Sequence, residues 1–171
     1  ELQRLGLTTE TEAAVRRNLP TETGMLVVEQ VVPGGPAHEV LEVGDVLLNI
    51  DRVGDASQAN ARRRWCTTFL QMEGLLDELP GAQVWVRVQR GGADLEFNLR
   101  VRNLHDLSPT SVLEVGGCTL HQLSYQQARN WNLRPGLVHV AFAGYMLSNA
   151  GVACRAIVSD LNGVAAPNLN A

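Results

Sequence analysis

Residues 24–51, GMLVVEQVVPGGPAHEVLEVGDVLLNID, constrain the fold of this chain more than any other stretch. Two short apolar runs within it, residues 25–32 and 46–50, are rich in β-branched side chains and predict buried strands. Residues 33–41 between them combine a Pro-Gly turn cluster with one helical turn that begins at Pro36. A Gly-Asp pair then starts the second strand. This order predicts a small β-rich domain with short helical connections.

The composition predicts an ordered globular protein. The chain has 171 residues, 45% hydrophobic and 19% charged, enough for one large or two small domains. The net charge of −4 argues against nucleic acid as the main partner. No apolar run approaches the roughly 18 residues of a membrane span, and no signal-peptide pattern opens the sequence. The cysteines, Cys66, Cys118 and Cys154, are odd in number and far apart, which predicts free thiols in a reducing compartment.

Three segments match the capping box that opens helices, beginning at Thr9, Thr68 and Ser124. The first helix is expected to run through about Asn18, where Pro20 ends it. The second is expected to reach Leu79, with an apolar stripe formed by Phe69, Met72, Leu76 and Leu79. Part of that stripe must belong to the core.

Residues 84–90 and 95–101 alternate apolar and polar side chains with a period of two. Gly91-Gly92 joins them, so they predict a β-hairpin with one buried face. Residues 53–66 are expected to form an extended loop. Arg62, Arg63 and Arg64 beside Trp65 could stack on a nucleic acid, but a solvated loop is the preferred interpretation in an acidic chain.

Residues 24–51 resemble the core of a PDZ domain, in which the phrase GPA…L..GD.I..I.G recurs. The resemblance implies a mainly β fold with short helices (α+β), a partly open barrel or sandwich capped by helices. A Leu-Gly-Leu loop precedes the core strand, as in the circularly permuted PDZ domains of HtrA/Deg serine proteases. The chain is therefore expected to hold a permuted PDZ domain over residues 1–102.

The resemblance also implies where a peptide binds. The loop formed by Arg4, Leu5, Gly6 and Leu7 is expected to hold the C-terminal carboxylate of a peptide, which would pair as a strand beside the residues after Gly6. The second wall of the groove is the helix after Thr68, where Phe69, Leu70 and Glu73 are the expected contacts. Gly6→Val is expected to weaken peptide binding without unfolding the domain.

After a polar linker at residues 103–111, the chain repeats its pattern. Gly117 takes the place of Gly6, residues 136–140 that of residues 24–28, and residues 156–161 that of residues 46–50. Asn162-Gly163 then predicts a tight hairpin turn. Residues 112–171 are thus expected to form an incomplete second PDZ-like domain that leans on the first domain or on a partner chain, or is loosely ordered. LSYQQAR and the following GLV.VA..GYML..AGV resemble the large HtrA/Deg-type proteases of plants and fungi.

The function implied is capture of C-terminal or extended substrate segments, by strand addition, for a serine endopeptidase. A structural module that assembles protease subunits, with an empty or self-filled groove, is the main alternative. A stand-alone PDZ scaffold and an arginine-loop nucleic-acid binder are further ones. The parent protein is expected to be a homo-oligomer in the nucleus or chloroplast, with neither nucleic acid nor a membrane as partner.

Catalysis is not expected from this chain. A protease of that family needs His, Asp and a Ser in a Gly-Asn-Ser-Gly-Gly setting, and no such serine motif occurs here. Cys118 and His121 have ligand-like spacing, but no second pair accompanies them. Neither a metal nor another cofactor is therefore expected.

Overall fold

The computed structural model describes residues 2–22, 24–54 and 65–170. Within these residues the backbone groups into two compact units. The first unit takes the chain up to Val31 together with Pro36–Asn103; the second takes Val32–Gly35 and the residues from Leu104 onward. The described fold is mainly β with a few short helices, as predicted, and its sheets are open rather than closed into a barrel.

The first unit is built on a three-stranded antiparallel sheet in the order β1-β2-β3. Its elements are a 3-10 helix (Leu2–Leu5), α1 (Thr9–Asn18), β1 (Val46–Arg52), α2 (Phe69–Asp77), β2 (Gln83–Arg90) and β3 (Ala93–Arg100). The predicted hairpin is confirmed. Gly91 and Gly92 both have positive φ (54° and 86°), as a two-residue type I′ turn requires.

The core of the first unit lies between this sheet and α2. Its buried members are Leu47, Cys66, Leu79, Val84, Val86 and Val88. Met72 and Leu75 pack against them. The inward face of α2 is therefore formed by Met72 and Leu75, and Leu79, which follows the helix, also lies in the core. Phe69 of the predicted stripe is instead 60% exposed. Burial of each such aliphatic side chain contributes about 1.5–3 kcal/mol.

The N-cap of the first helix lies one residue before the predicted one. Thr8, not Thr9, is the N-cap, and its hydroxyl accepts from the Thr11 amide at 3.3 Å. The predicted box fails because the Glu12 carboxylate, instead of reaching back, accepts from Arg16 (2.7 Å) and Gln3 (2.8 Å). The other two predicted capping boxes, at Thr68 and Ser124, are confirmed. The second helix ends at Asp77 rather than Leu79.

Residues 25–32 do not form the predicted strand. Only Val27 makes a β-bridge, to Val46. The Val28 amide donates to the Asp45 carbonyl (2.9 Å), and Leu26 accepts from the Leu47 amide (2.9 Å). The Gly44 amide also donates to the Val28 carbonyl (2.8 Å), so these residues follow the start of β1 through a few hydrogen bonds without forming a regular strand. By contrast, the predicted strand at residues 46–50 is confirmed.

The turn that leads into β1 is fixed by one buried ion pair. Asp45, 1% exposed, accepts from Arg90 through both carboxylate oxygens, each at 2.7 Å. Arg90 also donates to the Val40 carbonyl (2.9 Å), and the Glu42 amide donates to Asp45 (2.9 Å). Burial would raise the pKa of Asp45, but the hydrogen bonds from Arg90 and Glu42 hold that pKa below its ordinary value.

The second unit contains a four-stranded antiparallel sheet in the order β4-β5-β6-β7 and a two-stranded sheet, β8-β9. Its elements are a 3-10 helix (Leu104–Leu107), β4 (Val112–Val115), β5 (Cys118–Gln122), α3 (Tyr125–Trp131), β6 (Val138–Phe142), α4 (Gly144–Asn149), β7 (Ile157–Val158), β8 (Asp160–Leu161) and β9 (Val164–Ala165). Cys118, Leu123, Ala128 and Val140 are its most deeply buried side chains.

The run over residues 156–161 is broken rather than continuous. It divides into β7 and β8 at Ser159, whose carbonyl accepts from the Ala166 amide (2.9 Å). The predicted turn at Asn162-Gly163 is confirmed, with φ values of 54° and 78°. The segment expected to be a plain linker, residues 103–111, contains the 3-10 helix Leu104–Leu107. Of the loop predicted at residues 53–66, residues 55–64 lie outside the described residues.

Candidate peptide-binding site

The N-terminal loop of Arg4, Leu5, Gly6 and Leu7 is closed by its own backbone. The Gly6 amide donates to the Gln3 carbonyl (3.2 Å) and the Leu7 amide to the Leu2 carbonyl (3.1 Å). Gly6 has φ of +98°, in the region that favours glycine. Leu7 is 3% exposed, whereas the side chains of Arg4 and Leu5 reach solvent.

Two further hydrogen bonds tie this loop to the β2-β3 hairpin. The Gly92 amide donates to the Gly6 carbonyl (2.9 Å), and the Thr8 amide donates to Oε1 of Gln89 (2.8 Å). Gln89 is 2% exposed and donates from Nε2 to Thr11 Oγ1 (3.1 Å) and Asp94 Oδ1 (2.6 Å). Sequence reasoning missed Gln89. Its position next to Val88 in a strand of alternating burial gave no indication of an inward orientation.

The amides of Gly6, Leu7 and Thr8 are consequently all engaged within the first unit. A carboxylate held by this loop would have to displace carbonyl or amide oxygens that already accept from them. The side chain of Leu7 packs into the core, so of the predicted loop residues only Arg4 and Leu5 offer side chains to a ligand.

The outer surface of α2 carries the other predicted contacts. Phe69 and Leu70 are 60% and 77% exposed, and Glu73 is also exposed. The capping box of Thr68 with Gln71 fixes the backbone beneath them. Two large apolar side chains thus stand in solvent on a helix that is held firmly by its opposite face.

Trp65 lies four residues before the start of α2 in the sequence. It packs, half-buried, against the cluster of Leu7, Val46 and Leu48, and Phe69 belongs to no such cluster. The next residue, Cys66, donates its amide to the Leu48 carbonyl of β1 at 3.0 Å, and α2 begins three residues later. From the sequence, Trp65 was considered only as a base-stacking residue beside Arg62, Arg63 and Arg64, which lie outside the described residues.

The strand that follows Gly117 in the second unit differs from the N-terminal loop. Residues 118–122 form β5, which pairs with β4 on one side and β6 on the other. His121 of β5 and His139 of β6 lie opposite each other, with Nε2 and Nδ1 at 3.3 Å. Burial, then the electrostatic effects of His121 and Arg155, lower the pKa of His139.

The described residues offer little for covalent or metal chemistry. Cys66 and Cys118 are buried free thiols, and burial raises the pKa of the Cys66 thiol, which makes it a poor nucleophile. No group of three or more His, Cys, Asp or Glu side chains in the described ranges could hold a metal ion. No helix there combines the length and apolar character needed to traverse a bilayer.

Comparison with known proteins gives this surface its context. The PDZ-like domain family matches residues 106–171. Protease Do-like 7 of Arabidopsis thaliana is 46% identical over 162 residues, which cover 94% of this chain and 14% of that protein. The Pro-apoptotic serine protease NMA111 of Phaeosphaeria nodorum is 36% identical over 173 residues, 99% of this chain and 16% of that protein.

A third relative, NMA111 of Coccidioides immitis, is 45% identical over 129 residues, 75% of this chain and 11% of that protein. The chain therefore spans only about a seventh of the length of the first relatives, at 14% and 16%. The match nevertheless runs through both units, from the N-terminal loop to the last strands. Residues 106–171 therefore carry a PDZ-like domain, and nearly the whole chain is similar to a segment of the large HtrA-type serine proteases of plants and fungi.

Proposed function

We propose that this chain is the peptide-binding PDZ segment of an HtrA/Deg-like serine endopeptidase and captures substrate segments by β-augmentation. In this mode an extended peptide adds to a sheet edge through main-chain hydrogen bonds, and neighbouring apolar surface selects its side chains. The proposal includes the permuted domain at residues 1–102 and a second PDZ-like copy at residues 112–171, in which Gly117 follows Gly6 by 111 residues (117 − 6). The nucleus or chloroplast as its compartment is part of the same proposal.

The exposure of Phe69 and Leu70 is the observation that carries this proposal. At 60% and 77% exposed, these side chains belong to neither core cluster of the first unit, against which Met72 and Leu75 of α2 pack instead. Apolar side chains kept in solvent on a rigid helix are typical of a surface that a partner covers. Glu73, one turn further on, adds a charge that would favour a basic residue in the peptide.

Extended segments fit this surface better than free C-termini. The engaged amides of Gly6, Leu7 and Thr8 leave no ready-made anion site in the loop. The carboxylate-binding role of Arg4, Leu5, Gly6 and Leu7 therefore stays a prediction with its own test. A peptide and its C-terminal amide should bind alike if the loop stays closed, and the free acid should bind better if the loop opens.

Fluorescence anisotropy with labelled peptides from an unfolded substrate such as casein tests the capture function. Affinity in the micromolar range, about −8 kcal/mol, is expected. Phe69→Ala and Leu70→Ser should each weaken binding about tenfold, equivalent to about 1.4 kcal/mol. Val43→Ser is the matched control because Val43 is a 70% exposed aliphatic residue outside α2. Equal affinity in all four proteins would remove α2 from the site.

The alternative is an assembly module whose groove is empty or self-filled. The pairing of β4 with β5 favours it, because β4 covers an edge of the strand that follows Gly117. This alternative predicts that the chain self-associates in sedimentation velocity while no casein peptide binds. Micromolar peptide binding by a monomer would contradict it.

We also propose that proteolysis requires parts of the parent protein outside this chain. The chain should not cleave casein faster than buffer does, because the sequence provides no serine in the required motif. Gel analysis with a serine-directed inhibitor provides the measurement. Inhibitor-sensitive turnover by the purified chain would contradict this assignment.

A further inference from the structure

β4 is the outermost strand of the second unit's four-stranded sheet. It pairs with β5, and no other strand of the described residues pairs with it. All four of its side chains are exposed, including Val112 at 60%, Leu113 at 44% and Val115 at 46%. Exposed edges are commonly blunted by proline, lysine or a bulge, yet β4 has the sequence Val-Leu-Glu-Val in unbroken register.

The turn between β4 and β5 determines which backbone groups of β4 point outward. Gly116 and Gly117 have φ of 55° and 77°, so they form a type I′ turn flanked by the pair Val115 and Cys118. The residue pair that flanks such a turn is hydrogen-bonded, and the pairs alternate along an antiparallel ladder. Leu113 is therefore bonded to Leu120 of β5, whereas the N–H and C=O groups of Val112 and Glu114 face away from the sheet.

The two faces of β4 differ in chemistry. Leu113 and Val115 lie opposite Leu120 and Cys118, so they extend the face that holds the buried core. Cys118 is 1% exposed on that face. Glu114, opposite Thr119, lies on the other face. Val112, opposite His121, shares the face of Glu114, so an added strand would meet Leu113 and Val115 on one face and Val112 with the Glu114 carboxylate on the other.

We propose that the outer edge of β4 binds an extended peptide that carries a basic residue opposite Glu114 and apolar residues on either side of it. The N–H and C=O groups of Val112 and Glu114 pair with the peptide backbone. The flanking apolar residues cover Leu113 and Val115, and opposite charges facing each other across strands add to the pairing. This proposal rests on the strand-capture function and assigns it a second location, distinct from α2.

The test uses a fluorescein-labelled, acetylated and amidated pentapeptide, Thr-Val-Arg-Val-Thr, and a second one with Glu in place of Arg. The intact chain should bind the Arg peptide at least tenfold more tightly than the Glu peptide. Glu114→Pro removes the outward donor but leaves the β4-β5 bonds, so it should raise Kd at least tenfold with an unchanged circular dichroism spectrum. Glu114→Arg, which needs no backbone change, should reverse the preference between the two peptides.

Leu113→Pro is the companion variant, because it removes an amide that bonds to β5. Detachment of β4 should weaken binding of the Arg peptide. Tighter binding would instead mean that β4 occludes β5, and the proposal would be wrong. Equal Kd values for the intact chain, Glu114→Pro and Glu114→Arg would overturn the β4 assignment yet leave capture at α2 standing. If neither pentapeptide bound to the intact chain, the β4 assignment would also be wrong. The capture function would then be decided separately by the casein-peptide measurement with the α2 variants.

Discussion

The two units place the same kind of glycine before a capped helix but reach different structures. In the first unit only Leu7 separates Gly6 from the N-cap Thr8, and the backbone enters α1 at once. In the second unit residues 118–123 separate Gly117 from the N-cap Ser124, and most of them form β5. The number of residues between glycine and cap therefore decides whether a strand can form there.

That difference determines how the backbone amides are used. In the first unit, the two amides after the glycine donate hydrogen bonds to the Leu2 carbonyl and to Oε1 of Gln89. In the second, they enter a sheet whose outermost strand, β4, faces solvent. The glycine loop of the first unit therefore acts as a structural brace, meaning that its hydrogen bonds hold it to the β2-β3 hairpin. The second unit instead has an exposed strand edge suited to pairing.

Substitution of the two glycines should separate these roles most strongly. A Cβ at Gly6 would lie 2.4 Å from the Gly91 nitrogen, whereas one at Gly117 would meet only the Tyr145 nitrogen at 4.0 Å. Both substitutions carry the cost of a positive φ, about 1–3 kcal/mol, and only Gly6→Ala adds a backbone clash. We expect Gly6→Ala to destabilise its unit by about 3 kcal/mol or more and Gly117→Ala by about 1 kcal/mol.

Urea titration followed by the amide cross-peaks of β1 and β6 measures the two units separately. This geometry corrects the expectation that Gly6→Val would leave the fold intact, because any side chain at Gly6 enters the β2-β3 turn. Gly81→Ala is the control, since Gly81 has φ of +81° and open space around it. If Gly6→Ala and Gly81→Ala reduced the stability of the first unit equally, contact of Gly6 with the β2-β3 turn would add nothing, and the brace would be ruled out.

Gln89→Leu tests the brace from the opposite side. The substitution removes the acceptor of the Thr8 amide and the donor to Thr11 and Asp94, all in a buried position. Loss of such a network costs about 1–3 kcal/mol, so we expect about 2 kcal/mol in the first unit and no change in the second. Gln83→Leu, at an exposed position of the same strand, should be nearly neutral. If Gln89→Leu left the stability of the first unit unchanged, the hydrogen bonds of Gln89 to Thr8 and Thr11 would not be needed to hold the start of α1 on the sheet.

Local patterns predicted much of this fold because they act over a few residues. The hairpin of residues 84–101, the Asn162-Gly163 turn and the boxes at Thr68 and Ser124 each follow from turn or cap chemistry in adjacent positions. The failures have two causes. Residues 25–32 depend on pairing with β1 and make only one β-bridge to it, from Val27 to Val46. The N-cap of the first helix is Thr8 rather than Thr9, so Glu12 does not occupy the third helical position that a capping box requires.

The candidate site shows the same division. Exposure of Leu70 follows from helix periodicity once Met72 and Leu75 are recognised as the inward face of α2, whereas periodicity placed Phe69 in the predicted apolar stripe. The engagement of the loop amides could not be predicted, because their acceptors include Gln89, which lies 81 residues from Thr8 in the sequence. No local pattern indicates which polar residue of a strand turns inward to meet a distant loop.

Amide exchange should reveal a smaller difference between the units. The second unit leaves many apolar side chains exposed, among them Val112, Val115, Phe142 and Met146, and so buries less apolar surface in its sheet. We expect the amides of β6 to exchange at least tenfold faster than those of β2 in the full chain, a difference of about 1.4 kcal/mol. Equal protection, after correction for intrinsic rates, would show that the second unit is as stable as the first.

The smallest expected effect is a pH dependence confined to the second unit. His121 donates from Nδ1 to the Gln122 carbonyl (2.7 Å), so its Nε2 accepts from Nδ1 of His139. Nε2 of His139 is then buried without a hydrogen-bond partner among the described residues. A proton placed there would be stranded in the core beside His121 and Arg155, which is why the pKa of His139 is lowered.

Because the folded state takes up this proton at lower pH than the unfolded chain, the unfolded chain binds more protons just below the ordinary His pKa of about 6.5. The contribution of neutral His139 to the stability of the second unit is therefore intact above that pH, and it is lost as the pH falls from there toward the lowered pKa of His139. Asp45 in the first unit has a lowered carboxyl pKa, so its contribution is lost only near or below the ordinary Asp pKa of about 3.9. Between pH 7.5 and 5.5 the urea midpoint of β6 should fall while that of β1 stays constant, and His139→Gln should flatten the β6 response. An unchanged slope in that variant would assign the effect to another group.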